Sequence, residues 1–198
     1  ETVMIEAGSC CAILAEQISI QCTGITIVTN SAFIAQRLGA HPMVSTVLLG
    51  GEQQHDSRVL VGPMVELCAR QFIVDRLFIG TDGFTPSLGF TARDYMRATA
   101  VRALASRAER VVVLTESEKL GRHGPVPLLD AHDVAALWTD SAAPDAQVDA
   151  LTGAGVEVVT VAADGAAVVH PAQARPEPDR VVGGDSAPTA LTAREEPS

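Results

Sequence analysis

Two aspartates, three glycines and four hydroxyl residues crowd FIGTDGFTPSLGFTARD, the stretch from Phe78 to Asp94. Carboxylates accept hydrogen bonds from hydroxyl groups, and glycines let backbone approach a ligand closely. Such a stretch, placed where an apolar run stops, suits recognition of a small polar molecule through Gly80, Asp82, Gly83 and Asp94. Asp94 serves equally well as the cap of a helix starting at 95.

Comparable residues end four other apolar runs: Ala7-Gly8-Ser9-Cys10, Thr29-Asn30-Ser31, Gly50-Gly51 and Glu116-Ser117-Glu118-Lys119. Gly8-Ser9 and Asn30-Ser31 each lead into a helical pattern. Unpaired backbone N–H groups and the helix dipole make such ends suited to phosphate or carboxylate. Plain capping by Ser and Asn is the competing reading. Lys119 is the single lysine among fourteen basic residues, a compact ammonium at a strand end among carboxylates, fit for a ligand oxygen or for the bare surface. Arg93 and Arg97, one helical turn apart, are expected to offset negative charge, at least one of them lying on a solvated face. No P-loop or G-x-G-x-x-G is present, so a nucleotide is not the natural ligand.

These residues need a scaffold that brings strand ends together. TVMIEA (2–7), GITIVTN (24–30), STVLLGG (45–51), VDRLFIG (74–80), RVVVLTES (110–117), VAALWTD (134–140) and VEVVTVA (156–162) read as strands. Between them, 11–18 (capped by Ser9), 32–39, 63–71, 93–108 and 144–155 read as helices. The alternation implies crossover units and a mostly parallel sheet, an α/β fold covered on both faces. In such sheets ligands bind beyond the carboxyl ends of the strands, where every group named above collects. From 165 to 198 periodicity fades into Pro, Gly and scattered charge, which predicts a disordered tail.

The chain of 198 residues suits one sizeable core, and its net charge of −10 argues against direct grip on nucleic acid. No apolar run reaches the length of a membrane span. Four cysteines and five histidines show no zinc spacing, so no metal or cofactor is expected; reduced thiols and the missing leader fit a cytoplasmic protein. Opening directly on a core strand, the sequence reads as a domain excised from a longer protein.

In order, AGSC, VTNS, LLGG, VGPMVE, DRLFIGTDGF, GFTARD and VLTESEKLGR resemble the C-terminal sensor domain of DeoR-type bacterial transcriptional regulators over about 1–162. The resemblance implies a three-layer αβα fold similar to ribose-5-phosphate isomerase, glucosamine-6-phosphate isomerase and CoA-transferases. It also implies an N-terminal winged helix-turn-helix outside this chain that binds operator DNA, a phosphorylated sugar or related metabolite as effector, homo-oligomers, and repression. Carried over to this sequence, it assigns Gly8, Ser9 and Cys10 to a phosphate loop. Thr29, Asn30 and Ser31, the paired Gly50 and Gly51, the central loop of Gly80, Asp82 and Gly83, and Asp94 and Lys119 complete the expected ligand set. The sequence departs from the family pattern at Cys10, a thiol in place of a hydroxyl, at Arg97, where an acidic residue is common, and at Val101, where lysine is common.

The expectation is therefore a sensor without catalytic residues. An isomerase of this fold needs a second acidic residue soon after Asp82, and Gly83, Phe84, Thr85 and Pro86 supply none. A CoA-transferase needs a glutamate nucleophile, for which Glu116 is the candidate. An oligomerisation module without ligand is the third alternative.

Overall fold

Strands buried on both faces must alternate their apolar side chains between two cores, and the central runs of this sequence do so. In the computed structural model, which describes residues 1–174, Val3 and Ile5 enter one core while Met4 enters the other. Leu77 and Ile79 likewise share the second core, and Val111 and Val113 join them there, opposite Val112 and Leu114. Each such side chain contributes roughly 1.5–3 kcal/mol relative to exposure.

The chain runs β1 (Thr2–Ile5), α1 (Ser9–Gln21), β2 (Ile25–Thr29), α2 (Ala32–Leu38), β3 (Val44–Leu48), β4 (Glu52–Gln53), β5 (Leu60–Val61) and α3 (Pro63–Ala69). It continues through β6 (Val74–Ile79), β7 (Gly83–Thr85), β8 (Gly89–Ala92), α4 (Tyr95–Ala105), β9 (Ala108–Leu114) and β10 (Val126–Leu129). Then follow β11 (Ala136–Asp140), α5 (Asp145–Gly153), β12 (Glu157–Val161) and β13 (Ala167–His170). The main sheet has the order β13-β12-β11-β9-β6-β1-β2-β3. All its neighbours pair in parallel except β12 and β13. Residues of α1 and α2 build the core on one face; residues of α3, α4 and α5 build the other. This is the three-layer α/β fold expected from the alternation.

Departures from expectation come from short elements. The glycine-rich stretch is a hairpin, not a bare loop: β7 and β8 pair antiparallel, and β10 extends them into a second small sheet. Gly89 turns the hairpin at φ 66°, and the Phe84 and Phe90 rings stack at 4.8 Å. The polar segment after Gly51 carries a second hairpin, β4 with β5. At the C-terminal end the expected tail starts too early, because β13 adds an antiparallel edge strand beyond 164. The rest of that tail, from 175, lies outside the described residues. Among the described residues no helix is long and apolar enough to cross a membrane.

Candidate functional site

The strand order reverses at β1: β2 and β3 build outward on one side, and the chain returns to lay β6 on the other. Loops leaving β1 and β6 therefore diverge, and a crevice opens at the carboxyl ends of the strands. A cavity of about 570 Å³ occupies it. Of the thirteen expected ligand residues, Gly8, Ser9, Cys10, Ser31, Gly80, Asp82 and Lys119 line this cavity.

The β1 side is the start of α1. Gly8 precedes the helix in extended backbone, and no side chain caps it. The amides of the first turn, with no partner within the helix, thus border the cavity beside Ser9 and Cys10. Across from them Ser31 caps α2 by accepting from the Ile34 amide at 3.2 Å. Its hydroxyl is engaged in holding a helix end.

The β6 side is built around Arg97. Glu6 follows Met4 on the same face of β1, turned toward α4, and is fully buried. Both of its oxygens accept from the Arg97 guanidinium, from Nε at 2.8 Å and Nη2 at 2.9 Å. Nη2 also reaches the Gly80 carbonyl at 3.2 Å, and Nη1 donates to Asp82 Oδ2 at 3.2 Å. The same Asp82 oxygen accepts the Arg93 amide at 3.0 Å. Burial opposes the charge on Arg97, but the Glu6 and Asp82 carboxylates together outweigh it, and the guanidinium stays protonated. Asp94 places this arginine: its Oδ1 caps α4 by accepting the Arg97 amide at 2.6 Å and also takes a bond from Gln54 at 3.0 Å.

A second, more open cluster stands at the end of β9. Lys119 pairs with Glu116 at 2.5 Å, and Cys10 Sγ lies 3.8 Å from the other Glu116 oxygen. The Lys119 bond holds Glu116 below the usual carboxylate range. Burial, then the Glu116 charge, pushes the Cys10 thiol up, so Cys10 enters the cavity as a neutral thiol. Asp140 fixes the turn beneath by accepting the Ser117 amide at 2.8 Å and its hydroxyl at 2.7 Å.

The remaining expected residues do not line the cavity. Thr29 donates its hydroxyl to the Ile5 carbonyl at 2.6 Å, tying β2 to β1. Asn30 is buried and donates to the Leu60 carbonyl at 3.1 Å, holding the β4–β5 hairpin. A side chain on Gly51 would meet the Val61 carbonyl at 2.7 Å, and one on Gly83 the Arg122 carbonyl at 2.4 Å. Gly50 packs beside the Cys68 sulfur, and Asp94 is committed to its cap. Val101, at the position where the family commonly has lysine, lies fully in the core.

Sequence reading missed Glu6, Asp56 and Arg58. Arg58, at φ 53°, lines the cavity with its guanidinium 5.9 Å from the Phe33 ring centre. Among the described residues, Asp130, His132 and Asp133 form one exposed group of metal-ligand types within 4.8 Å, apart from the cavity lining. All four cysteines are free.

Residues 1–141 match the family model of the DeoR C-terminal sensor domain. The chain belongs to that family. Its relatives include the HTH-type transcriptional regulator GlpR of Haloferax volcanii, 28% identical over 80% of this chain and 62% of the relative. The HTH-type transcriptional repressor GlcR of Bacillus subtilis is 27% identical over 70% of this chain and 54% of its own. The glycerol-3-phosphate regulon repressor of Escherichia coli is 25% identical over 66% and 52%. This DeoR sensor chain thus spans little more than half the length of the curated relatives it matches. Among solved structures, ribose 5-phosphate isomerase A of Neisseria gonorrhoeae overlaps 61% of this chain and 45% of its own at 16% identity, TM-score 0.41. Ribose 5-phosphate isomerase of Plasmodium falciparum overlaps 86% and 90% at 8% identity, TM-score 0.45.

Proposed function

We propose that this domain is the effector-sensing and oligomerisation part of a transcriptional repressor, and that its effector is a phosphorylated sugar or related metabolite held in the β1–β6 crevice. The observation that carries the reading is the meeting, in one cavity, of the free first-turn amides of α1 with the Asp82 carboxylate and the Lys119 ammonium. Amides at a helix start suit a phosphate; a carboxylate suits sugar hydroxyls. The relative whose name includes glycerol-3-phosphate supports the same ligand class.

Sensing fits this chemistry better than turnover. A general base must be free to take a proton, yet both oxygens of Glu6, the carboxylate buried behind the cavity, are held by Arg97. Operator DNA is contacted through an N-terminal winged helix-turn-helix outside this chain, and ligand shifts the arrangement of subunits by binding one state more tightly.

The test is thermal unfolding of the domain with sugar phosphates, polyol phosphates and parent sugars. A ligand at one hundred times its Kd raises stability by roughly 2.7 kcal/mol. A phosphate ester that stabilises and is recovered unchanged supports the sensor. Conversion to an isomer makes the domain an enzyme; no response across the panel overturns the ligand class.

A further inference from the structure

We infer that the cavity accepts a ligand with one anionic group and an otherwise uncharged polyol body, and rejects a second anionic group. The inference rests on the proposed reading of the site and concerns which phosphorylated compounds it admits.

The ionisable groups of the cavity carry it. Arg58, Arg97 and Lys119 are the cations of its lining; Asp56 and Asp82 also line it, Glu6 stands directly behind Arg97, and Glu116 is paired with Lys119. Four carboxylates thus face three cations. Two of the cations are already engaged. Arg97 spends Nε, Nη2 and one Nη1 hydrogen on Glu6, the Gly80 carbonyl and Asp82, with Glu6 wholly buried and the arginine side chain only 15% exposed. Lys119 is held by Glu116. Among the described residues, Arg58 is the one cation of the lining without an ion pair.

A single phosphate fits this arrangement: the α1 amides supply donors and Arg58 a charge without a carboxylate partner among the described residues. The β6 wall then offers the rest of the ligand Asp82 Oδ1, which accepts no hydrogen bond among the described residues, next to the remaining Nη1 hydrogen of Arg97. An acceptor and a donor side by side match a hydroxyl pair. The Glu6–Arg97–Asp82 unit carries two negative charges against one positive, in a crevice where charges are poorly screened. A second phosphate or a carboxylate on the ligand meets that excess negative charge with no free cation to offset it.

The experiment is titration calorimetry of the chain with matched probes: fructose 6-phosphate against fructose 1,6-bisphosphate, and glucose 6-phosphate against 6-phosphogluconate. At least one monophosphate is expected to bind, with its doubly anionic partner at least tenfold weaker. Asp82→Asn is expected to narrow that ratio at least threefold, its folding checked by its melting temperature. Equal or tighter binding of the doubly anionic probes overturns this inference and leaves the sugar-phosphate reading intact. Binding of none of the four probes overturns both. Binding of a monophosphate with the discrimination unchanged in a folded Asp82→Asn protein removes Asp82 as its source and overturns the charge argument.

Discussion

The two carboxylate–cation clusters around the crevice use the same chemistry and differ in burial. Glu6–Arg97–Asp82 is walled in by β1, β6 and α4, with Glu6 out of contact with water. Glu116–Lys119 sits on a turn with side chains 45% and 29% exposed. Burial makes the first a fixed part of the fold, because removing one partner strands a charge in the core. Exposure leaves the second worth little to stability. One wall of the crevice is held by a buried charge cluster; the other is open to solvent.

Breaking the buried cluster should have the largest effect. Arg97→Met leaves Glu6 uncompensated and is expected to cost about 3–5 kcal/mol, a fall in melting temperature of roughly 6–20 °C. Urea or thermal unfolding reads it directly. Asp94→Ala, which removes the cap that seats Arg97, is expected to cost about 1–2 kcal/mol. A loss from Arg97→Met no larger than that from Lys119→Met would erase the contrast between the clusters.

The open cluster should respond in binding instead. Glu116→Gln is expected to change stability by less than about 1 kcal/mol while freeing Lys119, and to tighten binding of inorganic phosphate by up to about fivefold. Calorimetry at fixed ionic strength checks it. Unchanged phosphate affinity would place Lys119 outside the anion's reach.

Much of this architecture was legible before any coordinates. Continuous apolar runs with helical patterns between them gave the main-sheet strands through β12 and the five helices, because strands buried on both faces carry that signature. Ser31 and Asp94 were readable as caps from residue type alone, and both cap helices, whereas Ser9, read the same way, is the first residue of α1 and caps nothing. The hairpins were not legible: strands of two to four residues lack a period, and their turn residues read as a loop. β13 was lost among the Pro and Gly that follow it. Glu6 looked like a polar residue ending a strand, since its partner lies ninety-one positions away and only the β1–α4 packing joins them. A usable signal existed: Arg97, Val101 and Leu104 fall at helical spacing, so Arg97 lies next to the apolar stripe of α4 and not on the solvated face.

The smallest expected effect concerns the turn under Lys119. Bonds from Ser117, chiefly its amide, hold Asp140 below its ordinary range. A depressed carboxylate contributes stability that is complete above its unfolded value and is lost as pH falls through the folded one. The stability gap between the native chain and Asp140→Asn should therefore be full at neutral pH and shrink as pH falls below about 4. A gap independent of pH would mean that the Ser117 bonds do not depend on the charge.

The central claim is tested most directly by mapping backbone amide shifts while a stabilising monophosphorylated sugar is added to the domain. The account predicts saturable shifts at Ser9, Cys10 and Cys11 and at Gly80 to Asp82, with α3 and α5 unmoved. Saturable shifts confined to another surface, with the β1 and β6 loops silent, would contradict it.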